Sequence, residues 1–219
     1  MQIYLSLVQD RPANNFGIAI LLTVVMAAGI GILIAFWGKY ETFQFVNSNH
    51  NEYADKFFKY FTHYGDGVMW AALALFCFFF RKKYIIAVIA GAIISTIIAQ
   101  FLKRVVFPDE LRPIKFLAAD FPIHQVEGVV MRQIHSFPSG HTVTAFTMAL
   151  IMAYMINKKL WSFILPSLAF VAGYSRVYLA QHFPIDVFAG ICIGMLSAIL
   201  ALLIYRYALK GAKIINTEI

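Results

Sequence analysis

The chain has 219 residues, of which 61% are hydrophobic and only 13% charged, with a mean hydropathy of +0.73. Soluble globular chains run at roughly 45–50% apolar and about 25% charged, so a disordered chain and an ordinary cytosolic enzyme are both excluded. The formal charge of +7 does not mark a nucleic-acid binder. The cations lie in short groups between apolar runs, where they act as topology signals and candidate phosphate ligands, and no nucleic-acid-binding pattern accompanies them.

A crossing of the bilayer needs ~20 apolar residues at about 1.5 Å rise each. The first such run, Phe16–Trp37, follows a segment whose only charges are Asp10 and Arg11. It is long and has no small-residue cleavage site after it, so it reads as a span and not as a removable signal. Residues 38–67 read as a loop in which Val46, Tyr53, Phe57, Tyr60, Phe61 and Tyr64 recur at helical spacing among Asn, Asp and Lys. That pattern suits a helix lying in the membrane interface, or one packed on its neighbours. A short apolar run, Val68–Phe80, leads to Arg81-Lys82-Lys83 and a longer run, Tyr84–Leu102. After the loop 103–141 come Thr142–Ile156, Lys158-Lys159 and Leu160–Tyr174, then the loop 175–186 and the run Val187–Tyr205.

None of the six runs contains Asp, Glu, Lys, Arg or His. Trp37, Trp70 and Trp161 all fall at run ends, as an interfacial belt predicts. The expected fold is an all-α polytopic membrane bundle of six transmembrane helices forming one domain over residues 1–219. The dense basic groups at 81–83 and 158–159, with Arg206, Lys210 and Lys213, place those turns and both termini in the cytoplasm. The loops 38–67, 103–141 and 175–186 then face outward. Cys77 and Cys192 lie inside apolar runs, as packing residues do, which leaves no disulfide framework and no cysteine metal site.

With such clean spans, the chemistry belongs to the loops. One holds Lys103, Arg104, Arg112, Arg132, His135, Ser139, Gly140 and His141; the other holds Arg176, His182 and Asp186. Two crossings separate them, so both reach the same membrane face. Pro138-Ser139-Gly140-His141 stands directly before a span, where free backbone N–H groups and the helix dipole favour an anion. Gly140 permits close backbone approach, and Ser139 offers a hydroxyl. Arg112 and Arg176 are planar forks suited to phosphate oxygens, and Lys103 is a point charge. His182 and Asp186 are four apart around Pro184, which starts the last helix, so the carboxylate can orient the imidazole. An imidazole so held is a nucleophile, and His141 is then available to protonate a leaving oxygen. His135 and His141, six apart and without an acidic cluster, match no metal pattern. His50, His63 and His124 read as loop or interface hydrogen-bonding residues.

Pro138-Ser139-Gly140-His141 and Ser175-Arg176-x5-His182-x3-Asp186 resemble the second and third signatures of the type 2 phosphatidic acid phosphatase family, with the 33 residues Thr142–Tyr174 between them. The resemblance covers about residues 100–190 by motif. The first signature departs from the family's Lys-x6-Arg-Pro: here Lys103-x8-Arg112-Pro113 is two residues longer, and Arg104 is an alternative occupant of the lysine position. The resemblance implies a metal-independent, cofactor-free phosphatase of a lipid phosphate or diphosphate, working through a phospho-histidine. His182, His141 and Asp186 would be catalytic, and Lys103, Arg112, Ser139, Gly140 and Arg176 would bind phosphate. The expected setting is a bacterial inner membrane, with the site facing the periplasm or exterior and a membrane lipid as partner. Alternatives are a lipid phosphotransferase using the same histidine, or a non-catalytic lipid-head binding or transport protein. Residues Ile114–Phe137, with Phe116, Phe121, Val129 and Val130, are expected to form a lid or acyl-chain contact.

Overall fold

The computed structural model describes residues 15–117 and 122–217. The expectations for the first 14 residues, for Phe121 and for the Lys213 side chain lie outside what is described. Among the described residues there is no strand, and the helices are α1 (Phe16–Ser48), α2 (Glu52–Phe61), α3 (Val68–Phe80), α4 (Ile85–Phe101), α5 (Pro113–Phe116), α6 (Gly140–Ile156), α7 (Lys159–Tyr178) and α8 (Pro184–Thr217).

Several boundaries have local causes. Gly38 adopts φ 83° and breaks α1 without ending it, a conformation that glycine reaches at little cost. Residues 38–48, read from the sequence as part of the loop 38–67, continue the helix, with Thr42, Phe43 and Asn47 buried. Asn51 caps α2 by accepting from the Ala54 N–H at 2.9 Å, and Glu52 and Asp55 occupy the first turn. Asn157 ends α6 in the left-handed region at φ 48°, and its carbonyl and side-chain oxygens accept from Asn15.

Four helical stretches among the described residues are long and apolar enough to cross a membrane: α1, Lys82–Val106 around α4, α7 and the first part of α8. The segment Glu52–Gly65 and α3 form a bent pair, at 58° to one another, that makes a fifth candidate. The remaining expected crossing, α6, has 17 residues, or about 25 Å of helix against a hydrocarbon core of ~30 Å. Its environment explains its modest hydropathy. Ala145, Phe146, Ala149, Leu150 and Ala153 are fully buried, and α1, α4, α7 and α8 pack around it, so α6 needs small and shaped side chains more than lipophilic ones. The outer helices reverse this pattern: Leu21 and Phe36 of α1, Ile93 and Ile97 of α4 and Leu203 of α8 are all more than half exposed. An apolar perimeter around a closely packed centre is the distribution of an integral membrane protein.

The centre is tight enough to need glycine. A Cβ on Gly190 of α8 would lie 2.7 Å from Thr142 Cβ and 3.0 Å from the Ser139 carbonyl oxygen, so α8 and the start of α6 are nearly in backbone contact. Two sequence expectations change here. Trp70 is buried, at 8% exposure, beside α4 and not in an interfacial belt, whereas Trp37 and Trp161 are exposed at 50% and 39%. The stripe of residues 46–64 divides between its two readings: Val46, Phe61 and Tyr64 are partly buried against the core, while Tyr53 and Tyr60 stay 87% and 69% exposed. Cys77 and Cys192 are free thiols.

Candidate active site

The end of α4, the start of α6, the end of α7 and the start of α8 meet at one end of the bundle. The α7–α8 junction sets the first part of the site. Ala180 takes a left-handed φ of 53°, and the N–H groups of Gln181 and His182 both donate to the Arg176 carbonyl, at 2.9 and 3.1 Å. The chain therefore turns sharply under the end of α7, and Pro184 opens α8 with Asp186 in its first turn. One carboxylate oxygen of Asp186, Oδ2, accepts from the Phe183 N–H at 2.9 Å, from His182 Nδ1 at 3.2 Å and from the Ser136 hydroxyl. The Asp186 carbonyl in turn accepts the Ser139 N–H at 3.0 Å, which ties the start of α6 to the start of α8.

An ionised Asp186 places the His182 proton on Nδ1 and leaves the lone pair on Nε2. That Nε2 lies 3.4 Å from Arg112 Nη1. Burial, followed by the positive charges of Arg112, Lys103 and Arg176, holds the His182 imidazole well below its ordinary range. His182 is therefore neutral near pH 7 and keeps its lone pair.

Arg112 is fixed by backbone. Its N–H donates to the Gln133 carbonyl at 2.9 Å, and its guanidinium donates to the carbonyls of Gln181, Ile134 and His135. Burial and the neighbouring Arg132 push its pKa down to about 10, so it remains a cation near neutrality. Arg176 is 7% exposed. Its Nη1 donates to the Thr62 hydroxyl at 2.7 Å, whereas its Nε is buried with no hydrogen-bond partner. A buried guanidinium N–H without an acceptor is costly, and a phosphoryl oxygen would satisfy it. At the start of α6, a Cβ on Gly140 would meet nothing within 4 Å, leaving open space before the helix terminus. Ser139 is fully buried, and its hydroxyl oxygen accepts from Thr142 Oγ1 at 2.9 Å.

The longer first motif is partly taken up where α4 ends. Leu102–Val106 forms a widened π turn, in which the Phe107 N–H reaches back five residues to the Leu102 carbonyl at 2.8 Å. Lys103 is thereby half-buried, in the electrostatic neighbourhood of Arg112, Arg176 and Asp186. Arg104 is exposed, with its Nε 3.0 Å from Gln100 Oε1. Lys103 is thus the one of the two whose charge is felt within the site.

His141 meets a residue that sequence reasoning passed over: its Nε2 lies 2.6 Å from Asp66 Oδ1. Thr62, Ser136 and Gln181 were passed over too, because an isolated Thr, Ser or Gln carries no spacing signal. Asp66 did carry one in its neighbour Gly65, whose missing side chain permits the close backbone approach made there. His135, at φ 57°, contributes its carbonyl to Arg112 and leaves its Nδ1 buried and unpartnered. Among the described residues no group of three or more His, Cys, Asp or Glu is placed to hold a metal ion. His124 stacks on His50 at 3.6 Å and pairs with Asp55, away from the site. Of the expected lid, Phe116 stacks on Tyr40, Val129 packs beside Val126 and Tyr178, and Val130 is 82% exposed.

The family model for the PAP2 superfamily matches residues 84–210, which include the end of α4, both histidine motifs and the α7–α8 junction. The chain belongs to the PAP2 superfamily. It is 27% identical over 157 residues to the undecaprenyl-diphosphatase of Sulfolobus acidocaldarius, covering 70% of this chain and 72% of the relative. It is 24% identical over 173 residues to the lipid A 4'-phosphatase of Porphyromonas gingivalis, covering 74% and 71%. The match to one curated relative spans only 59% of that protein's length. The crystal structure of Aquifex aeolicus LpxE superposes with a TM-score of 0.67 at 32% identity, covering 75% of this chain and 94% of that one. With the family goes the reaction class: this PAP2 member is a phosphatase, a hydrolase of phosphate or diphosphate esters.

Proposed function

We propose that the protein removes a phosphate from the head of a membrane lipid phosphate or diphosphate through a phospho-histidine, without a metal. The observation that carries this reading is the pairing of a neutral, Asp186-held His182 with a buried, unpartnered Arg176 N–H in one cluster. His182 Nε2 attacks phosphorus while Arg112, Arg176, Lys103, Ser139 and the N–H groups at Gly140 hold the equatorial oxygens and the charge that develops on them. The bond to the leaving oxygen breaks, and His141 gives that oxygen its proton. Water then attacks the phospho-histidine, returns a proton to His141 and releases inorganic phosphate. Asp186 keeps the His182 tautomer throughout.

A site at the end of an apolar bundle suits an amphiphile, whose tail stays in the bilayer while its head enters. The full proposed arrangement has six crossings, with the bent pair and α6 completing the count. It lies in a bacterial inner membrane, with the site on the periplasmic or outer side. The test is phosphate release by purified protein in detergent with EDTA, over phosphatidic acid, phosphatidylglycerol phosphate, a polyprenyl diphosphate and lipid A. The expected outcome is release from at least one substrate, lost in His182→Ala and His141→Ala. Release abolished by EDTA and restored by a divalent cation would overturn the metal-free reading. Release retained by His182→Ala would overturn the phospho-histidine.

A further inference from the structure

The turn Thr62–Gly65 and the residue after it lie outside every motif, yet they press against the acid side of the site. A Cβ on Gly65 would lie 2.6 Å from the His141 carbonyl oxygen and 2.9 Å from His141 Cβ, so this backbone rests directly on the first turn of α6. Asp66 follows. One of its carboxylate oxygens is 2.6 Å from His141 Nε2 and the other is 2.6 Å from His63 Nδ1. The two histidines of the reaction are therefore each held by a carboxylate: Asp186 holds the nucleophile and Asp66 the acid. The settings differ. Asp186 is buried, whereas the Asp66 side chain is 31% exposed and that of His63 is 66% exposed.

His141 needs such a partner. To protonate a leaving oxygen it must carry a positive charge, but it stands at the start of α6, where the helix dipole opposes a cation. Burial opposes a positive charge on it most, and Arg176 of α7 and Arg112 of the loop before α5 oppose it further. Asp66 is the anion set against them. The hydrogen bonds from His141 and then His63 hold the Asp66 carboxyl well below the usual carboxylate range, so it is ionised throughout the neutral region.

We propose that Asp66 is the positioning residue of the general acid: it fixes the His141 ring and favours the imidazolium that gives up its proton as the leaving group departs. This inference rests on the phosphatase reading above. In the first step the His182–phosphorus bond forms, the phosphorus–oxygen bond breaks and the His141 proton goes to the alcohol oxygen. In the second, the proton of the attacking water restores the imidazolium beside Asp66. No net proton is consumed by His141 over the cycle.

The test compares Asp66→Asn and Asp66→Glu with the parent on two substrates. One is a lipid alkyl phosphate, whose alkoxide must be protonated; the other is p-nitrophenyl phosphate, whose phenolate leaves without help. kcat/KM reports the steps up to leaving-group departure. Asp66→Asn is expected to lower it at least 30-fold for the alkyl phosphate and less than threefold for the aryl phosphate. Its alkaline limb should move to lower pH by about one unit, because an imidazolium without its anion loses its proton sooner. Asp66→Glu should restore most of the alkyl activity. Equal losses on both substrates with an unmoved limb would make Asp66 a structural residue and overturn the inference. Unchanged rates in Asp66→Asn would overturn it equally. A parent that releases no phosphate from either substrate would bring down the phosphatase reading itself, an outcome distinct from an active parent with an insensitive Asp66→Asn.

Discussion

Asp186 Oδ2 gathers three donors, and each of them restrains the carboxylate that orients His182. A hydrogen bond to a charged group contributes about 1.5–3 kcal/mol, so Ser136→Ala should lower kcat by about tenfold with KM nearly unchanged, measured by phosphate release at saturating substrate. Arg176→Lys keeps the charge but loses the planar fork and its Nε–H, so kcat/KM should fall by about a hundredfold. The same residues set the response to pH. His182 in the folded protein binds its proton less readily than in the unfolded chain, whose value is about 6.5. Neutral His182 therefore supports folding fully above about pH 6.5, and that support is lost as pH falls toward its lower folded value. The unfolding midpoint of the parent in detergent should drop more between pH 8 and pH 5 than that of His182→Ala. Asp66, also depressed, adds a loss of the same sign below about pH 4.

Elements deliver these residues by their ends. α6 brings its N-terminus, α7 its last turn and α8 its first, and the spacing between them depends on how closely α6 and α8 approach. Gly190→Ala would put a Cβ 3.0 Å from the Ser139 carbonyl. That atom is backbone and cannot swing aside, so the helix start must move. Overpacking of this kind costs about 1–3 kcal/mol, and the displaced Ser139–Gly140 turn should lower kcat/KM more than the loss of stability accounts for. A thermal scan paired with kinetics separates the two effects. The π turn after α4 acts at the same scale: it takes up part of the longer first motif and leaves Lys103, not Arg104, inward.

Across the whole molecule the apolar surface faces outward and the polar groups converge at one end. Tyr53 and Val130, both strongly exposed, lie toward that end, and the basic turn at 81–83 lies at the other. In a background with Cys77 and Cys192 replaced by Ala, Tyr53→Cys and Val130→Cys should react with a membrane-impermeant maleimide in spheroplasts. Lys83→Cys should react only after lysis. Labelling of all three from one side would remove the proposed topology.

The sequence alone determined the material and the reaction class. Hydropathy marked a membrane protein because apolar excess has no other place to go, and the His141, Arg176, His182 and Asp186 spacings were legible because each pair is brought together by local helix geometry or by the helix pair α6–α7. Tertiary structure decided what depends on contacts between distant segments. Whether α6 is a lipid-facing or an enclosed helix, which of Lys103 and Arg104 turns inward, and which carboxylate meets His141 are set by packing. Asp66 lies 75 residues from His141 in the chain, and no periodicity relates them. Only the close approach at Gly65 puts that carboxylate against the proposed acid.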